Sequence, residues 1–138
     1  MCLDGIKGFI ADHMLDLAGI LGGGLVINPK GFERFCNDGV AVKNLFGSIP
    51  GLQKPAFHAK YPNADDFSDM LIELAMTVKP DFTIVDAIDI MEGNGPANGS
   101  RRHVGVTFSS KDVFLLDKFI AQTVEIPLDT IKTIAASD

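Results

Sequence analysis

The chain has 138 residues, 46% hydrophobic and 22% charged, enough apolar material for one folded domain spanning 1–138 and too little for two ordinary ones. Its net charge of −6 argues against duplex nucleic acid and against an anionic membrane surface as partners, since either calls for a basic face. Cys2 and Cys36 are the only cysteines, too few for a disulfide framework, a zinc site or an iron–sulfur cluster, so no cofactor is evident and no cluster is expected.

Asp4, Lys7 and Asp12 interrupt the start of the chain, so no leader-type apolar run forms there, and no stretch reaches membrane-spanning length. Together with the two reduced thiols this reads as a cytoplasmic protein.

In chain order, residues 4–21 read as a helix, because Ile6, Phe9, Ile10, Met14, Leu17 and Leu21 recur at helical spacing. Gly22-Gly23-Gly24 stops it. Leu25-Val26-Ile27 is a run without a polar face, the mark of a strand buried on both sides, and Asn28-Pro29-Lys30-Gly31 closes it. Asp38 is placed to cap a short helix through Val42, Leu45 and Phe46, broken at Gly47 and Ile49-Pro50-Gly51. From there to Asn63, prolines 50, 55 and 62 predict irregular structure available to a partner.

The clearest element is a helix at 64–79. Phe67, Met70, Leu71, Leu74 and Val78 form one stripe, Asn63 caps, Asp65, Asp66 and Asp69 suit the N-terminal dipole, and Pro80 forbids continuation. Phe82 to Ile88 follows as a β-branched strand, and 92–100 reads as a glycine- and asparagine-rich loop. His103 to Phe108 alternates as a strand. Ser109 with Asp112 predicts a capping box for a helix through Val124 that buries Val113, Leu116, Phe119 and Ile120. A last helix at 128–136 is expected to bury Leu128, Ile131 and Ile134. Strands separated by helices predict a three-layer α/β fold with a mostly parallel sheet flanked by helices.

Three groups carry candidate chemistry. The segment from Glu92 through Gly93, Asn94 and Gly95 to Arg101 and Arg102 follows a strand, where α/β sheets bind ligands; its glycines expose backbone amides and its arginines suit an anion. The same pattern also suits a structural turn with solvated arginines. Lys30, Lys43 and Asn44 form a second anion-binding candidate, with His58 in the proline-rich segment as a further one. Asp86 and Glu92 offer oxygen ligands for a divalent cation, or an acid–base pair.

Several of these phrases occur together in a known order. Val26-Ile27-Asn28-Pro29-Lys30, then Val42 to Phe46-Gly47 with Ile49-Pro50-Gly51, then Val85-Asp86-Ala87-Ile88 leading into Met91-Glu92-Gly93-Asn94-Gly95-Pro96, resemble the family called domain of unknown function 362, over about residues 10–127. Members of that family are often joined to ferredoxin-like modules with cysteine-ligated clusters, so the resemblance implies a redox-associated setting. This chain lacks those cysteines, and it reads as the C-terminal part of a larger family domain. Where the family continues the Pro-Lys pair with a further lysine and a histidine, this chain has Gly31-Phe32-Glu33-Arg34-Phe35-Cys36.

Three functions are open from the sequence. The first is a small-molecule or anion-binding module related to redox proteins, its ligand held by Lys30, Lys43, Asn44 and the 92–102 segment. The second is a divalent-metal-dependent enzyme using Asp86 or Glu92. The third is a structural subunit that buries apolar surface in a homo-oligomer or against a partner subunit, in keeping with a mean hydropathy of +0.22.

Overall fold

A computed structural model describes residues 24–27, 39–94 and 98–135. The helix expected at 4–21, Lys30, Asp38, Gly95 and both cysteines lie outside them. Strand β1 (Gly24–Ile27) pairs in parallel with β2 (Phe82–Asn94), from Gly24 opposite Phe82 to Ile27 opposite Val85. Strand β2 pairs antiparallel with β3 (Asn98–Ser110), from Thr83 opposite Ser110 to Asn94 opposite Asn98. The sheet order is β1-β2-β3.

This corrects the mostly parallel, three-layer reading. Among the described residues the dominant feature is a long antiparallel hairpin accompanied by five α-helices, with one short parallel pair. A helical crossover does separate β1 from β2, as parallel pairing needs. No helix lies between β2 and β3, and strands joined by a short connection fold back on each other. The glycines and asparagines of 92–100 read as a loop because each weakens a strand. Here Glu92, Gly93 and Asn94 continue β2, and Ser100, Gly99 and Asn98 face them across the ladder.

Between Ala87 and Asp89 the register shifts, since Val104 and Gly105 together oppose Ile88. Gly105 has φ +76°, the left-handed conformation that a bulge of this kind places on glycine.

Between β1 and β2 come α1 (Ala41–Asn44), a 3₁₀ turn (Leu45–Ser48), α2 (Lys54–Lys60) and α3 (Ala64–Val78). Helix α2 lies where irregular structure was expected. Pro55 at its second position costs it nothing, because the first amides of a helix have no intrahelical acceptor. Helix α3 matches its prediction: the Asn63 side chain accepts from the Asp65 N–H at 3.0 Å, and Lys79 ends it in the left-handed conformation. Met70, Leu71 and Leu74 are buried on it, each contributing roughly 1.5–3 kcal/mol of hydrophobic stabilisation.

After β3, α4 (Val113–Thr123) is capped by Asp112, which accepts from the N–H groups of Phe114 and Leu115 at 2.9 Å. The cap is therefore Asp112, while Ser109 stays in the strand. Its buried side carries Val113, Leu116, Asp117, Ile120 and Ala121. Phe119, expected inside, is 58% exposed. A 3₁₀ turn (Leu128–Thr130) and α5 (Lys132–Ala135) close the described chain, burying Ile131 and Ile134. One core joins Val85, Ala87, Ile90 and Phe108 of the hairpin to Leu45, Leu71, Leu74, Leu116 and Ile120 of the helices.

Candidate functional site

Helix α1 carries Lys43 and Asn44, and its placement is decided by a residue far away in the chain. Asp117 of α4 is fully buried. Its Oδ1 accepts from the Ala41 N–H at 2.7 Å and its Oδ2 from the Val42 N–H at 3.0 Å. The carboxylate thus supplies the N-terminal cap that Val40 cannot. Burial pushes the Asp117 carboxyl up to about 6, against the lowering pull of the Ala41, Val42 and Val40 amides.

Gly39, at φ +71°, lets the chain enter α1 beneath this carboxylate; a Cβ there would lie 2.3 Å from Asp117 Oδ2. Sequence reading assigned the cap to Asp38 and missed Asp117. The signal was present: Asp117 falls four residues after Val113 and four before Ala121, on the apolar stripe of its own helix.

Beyond α1, Phe46 sits at the centre of an aromatic group. The His58 ring stacks on Phe67 with centroids 4.9 Å apart and meets Phe46 edge-on at 5.3 Å. Phe57 and Tyr61 stack at 6.4 Å, and Phe57 also meets Phe46. The Lys54 ammonium lies 5.8 Å from the Phe46 ring centroid and the Lys60 ammonium 5.2 Å from that of Tyr61, within cation–π range. Through Phe46 the fold therefore brings Lys43, Asn44 and His58 into one region.

That region has a charge pattern of its own. Residues 39–64 contain Lys43, Lys54, Lys60 and His58 and no Asp or Glu, although the chain as a whole carries 18 acids against 12 Lys and Arg. Leu52, in the turn before α2, is 97% exposed.

The other candidates are placed differently. Arg101 donates to Asp89 Oδ2 at 2.6 Å, and His103 Nδ1 stands 3.0 Å from Asp89 Oδ1. The Arg101 hydrogen bond, followed by that of His103, holds the Asp89 carboxyl below the usual carboxylate range, and Asp89 in turn raises Arg101. With Asp89 ionised, His103 presents Nδ1–H to it. Arg102 points to the carbonyl of Val124 at 3.5 Å, at the end of α4. Glu92, Gly93 and Asn94 lie in the ladder at the far end of the hairpin.

Asp86, the first metal candidate, accepts from the Ile88 N–H at 3.0 Å through Oδ1. It lies inside β2 and not at a strand end. Among the described residues, no three His, Cys, Asp or Glu side chains stand close enough to share a metal ion. Among them too, no helix is long and apolar enough to cross a membrane.

Residues 34–122 match the family described as "Domain of unknown function (DUF362)". The chain is also 42% identical, over 100 residues, to the "Thylakoid-associated protein sll1697" of Synechocystis sp.. That alignment covers 72% of this chain and 31% of the relative, so the chain spans about a third of the length of that protein. No solved structure matches.

Proposed function

The chain belongs to the domain of unknown function 362 family, and from that footing we propose that it is a small-molecule or anion-binding module whose ligand face is the segment 39–64. The carrying observation is the concentration there of Lys43, Lys54, Lys60 and His58 without a single carboxylate, with Lys54 over the Phe46 ring, Lys60 over that of Tyr61 and His58 stacked on Phe67. Lysines beside aromatic faces suit a ligand with both a negative charge and apolar or planar surface. The Asp117 cap supports the reading, because it fixes the helix that bears Lys43 and Asn44.

Arg101 has a smaller part in this proposal than its sequence context implied, since its guanidinium is engaged by Asp89. Lys30, Glu92, Gly93, Asn94 and Gly95 remain part of the proposal as further contacts to the anion. A redox-associated role, in the manner of family members joined to cluster-bearing modules, is a further part of it. So is a cytoplasmic setting, which subcellular fractionation tests.

The test is a thermal-shift screen of the purified chain against inorganic phosphate, nucleotides and organic acids. Stabilisation by an anion, reduced several-fold in apparent affinity by Lys43→Ala and by Lys54→Ala and little changed by Arg101→Ala, is the expected result. Stabilisation that survives both lysine substitutions places the ligand elsewhere.

A second reading has its own observation. Leu115 and Phe119 are 60% and 58% exposed one helical turn apart on α4, beside the edge strand β3. These two exposed side chains support a subunit that covers apolar surface with a second copy or a partner. Light scattering tests it, with Leu115→Ser/Phe119→Ser expected to convert any dimer to monomer.

A further inference from the structure

We infer that the 39–64 face docks on an anionic lipid bilayer, with Leu52 entering the headgroup layer and Lys54 and Lys60 meeting lipid phosphates beside it. This rests on the anion-binding reading above and narrows it to one class of ligand.

Leu52 has the highest exposure of the large hydrophobic side chains of the described residues, at 97%. It stands in a turn whose neighbours Gly51 and Gln53 are also exposed. Helix α2, which follows, buries none of its residues. Its exposed Pro55, Ala56 and Ala59 are small and uncharged, with Lys54 at one end and Lys60 at the other. The nearest acids along the chain are Asp38 and Asp65.

A leucine held out from the core in this way removes its apolar area from water by entering the boundary of a bilayer. The lysines beside it lay their stems along apolar surface and direct their ammonium groups to phosphates. An acidic protein segment shares the charge chemistry. It would need, however, several hundred Å² of complementary surface and pockets for its own anchors. A single leucine projecting from the turn ahead of a lysine-bearing helix asks only for a soft apolar layer under a charged one.

The net charge of −6 opposes approach to such a surface. Screening confines that repulsion to about 8 Å at physiological salt, so the groups at the point of contact decide the outcome. The attachment is therefore peripheral, weak and sensitive to ionic strength.

Flotation of the purified chain with vesicles tests this, comparing phosphatidylcholine alone with phosphatidylcholine containing phosphatidylglycerol. Binding is expected to the anionic vesicles alone and to fall as salt is raised. Leu52→Ser should lower the partition coefficient about ten-fold or more, and Lys54→Ala/Lys60→Ala about thirty-fold. Met76→Ser, which alters an exposed apolar residue of α3, should change nothing, and circular dichroism confirms that each variant is folded.

Equal binding to neutral vesicles overturns the inference, as does anionic binding that survives both tip variants. Preference for an oligoglutamate peptide over vesicles also overturns it, in favour of an acidic protein partner. Stabilisation by free phosphate without vesicle binding overturns the lipid inference and leaves the anion-binding reading standing. Failure of phosphate, nucleotides, organic acids and vesicles alike overturns both.

Discussion

Replacing Gly39 by alanine isolates the junction on which α1 depends. Two costs are separable in the structure. The backbone there has φ +71°, which disfavours any residue with a Cβ by roughly 1–2 kcal/mol. The new Cβ would also lie 2.3 Å from Asp117 Oδ2 and 3.2 Å from Thr133 Oγ1. That carboxylate is buried and held by two amides, so it cannot move aside without loosening a charge-assisted hydrogen bond worth roughly 1.5–3 kcal/mol. The expected destabilisation is about 3–5 kcal/mol, a large part of the roughly 5–15 kcal/mol that keeps such a domain folded. Gly47→Ala is the matched control: no atom lies within 4 Å of its Cβ position, and losing a glycine from the unfolded ensemble makes that variant neutral to slightly stabilising. Urea denaturation of both variants provides the comparison. A Gly39→Ala midpoint no lower than that of Gly47→Ala would refute the account of Asp117 as a fixed cap.

Stability should depend on pH through Asp117. Its folded value of about 6 lies above the ordinary 3.8, so the folded state holds the proton more tightly. That contribution is fully present below about pH 4, is lost as pH rises through 6, and amounts to about 3 kcal/mol. The difference in unfolding free energy between the native chain and Asp117→Asn, followed from pH 4 to 7, should show this slope; a flat difference argues that the carboxylate titrates normally. Asn63→Ala should cost α3 about 1 kcal/mol by removing the acceptor for the Asp65 amide, and an unchanged melting temperature would remove that cap from the account. Asp89→Asn should leave the urea midpoint unchanged, because an ion pair with 75% of the Arg101 side chain exposed contributes little; a clearly lowered midpoint would give that pair a structural part.

What the sequence made legible was local. Helix α3 announces itself through a cap, acids in its first turn and a stripe at one period, and all three sit between Asn63 and Val78. The strand character of Leu25–Ile27 and Phe82–Ile88 was equally readable from β-branched side chains. The continuation of β2 through Glu92-Gly93-Asn94 was not, because residues poor in strand propensity are held there by their partners across the ladder. Asp117 escaped for a related reason: an acid on an apolar stripe looks like an interruption until the amides of Ala41 and Val42, on another element, are seen to require it. The anion candidates were partly legible. Lys43, Asn44 and His58 share a region, whereas the partner of Arg101 lies on the opposite strand, where spacing along the chain gives no hint of it.

The tie between Asp117 and α1 also bears on the order of folding. Its partners lie 75 and 76 residues apart in the chain, and a contact of such span closes a long loop before it gains anything in return. Four residues cannot hold a helix unaided, so α1 waits for α4 to be made and docked. The part of the lysine-bearing face that rests on α1 is thus expected to form late in folding. A chain ending before Asp117 would contain Lys43, Lys54, Lys60 and Leu52 and yet present no finished surface to any ligand.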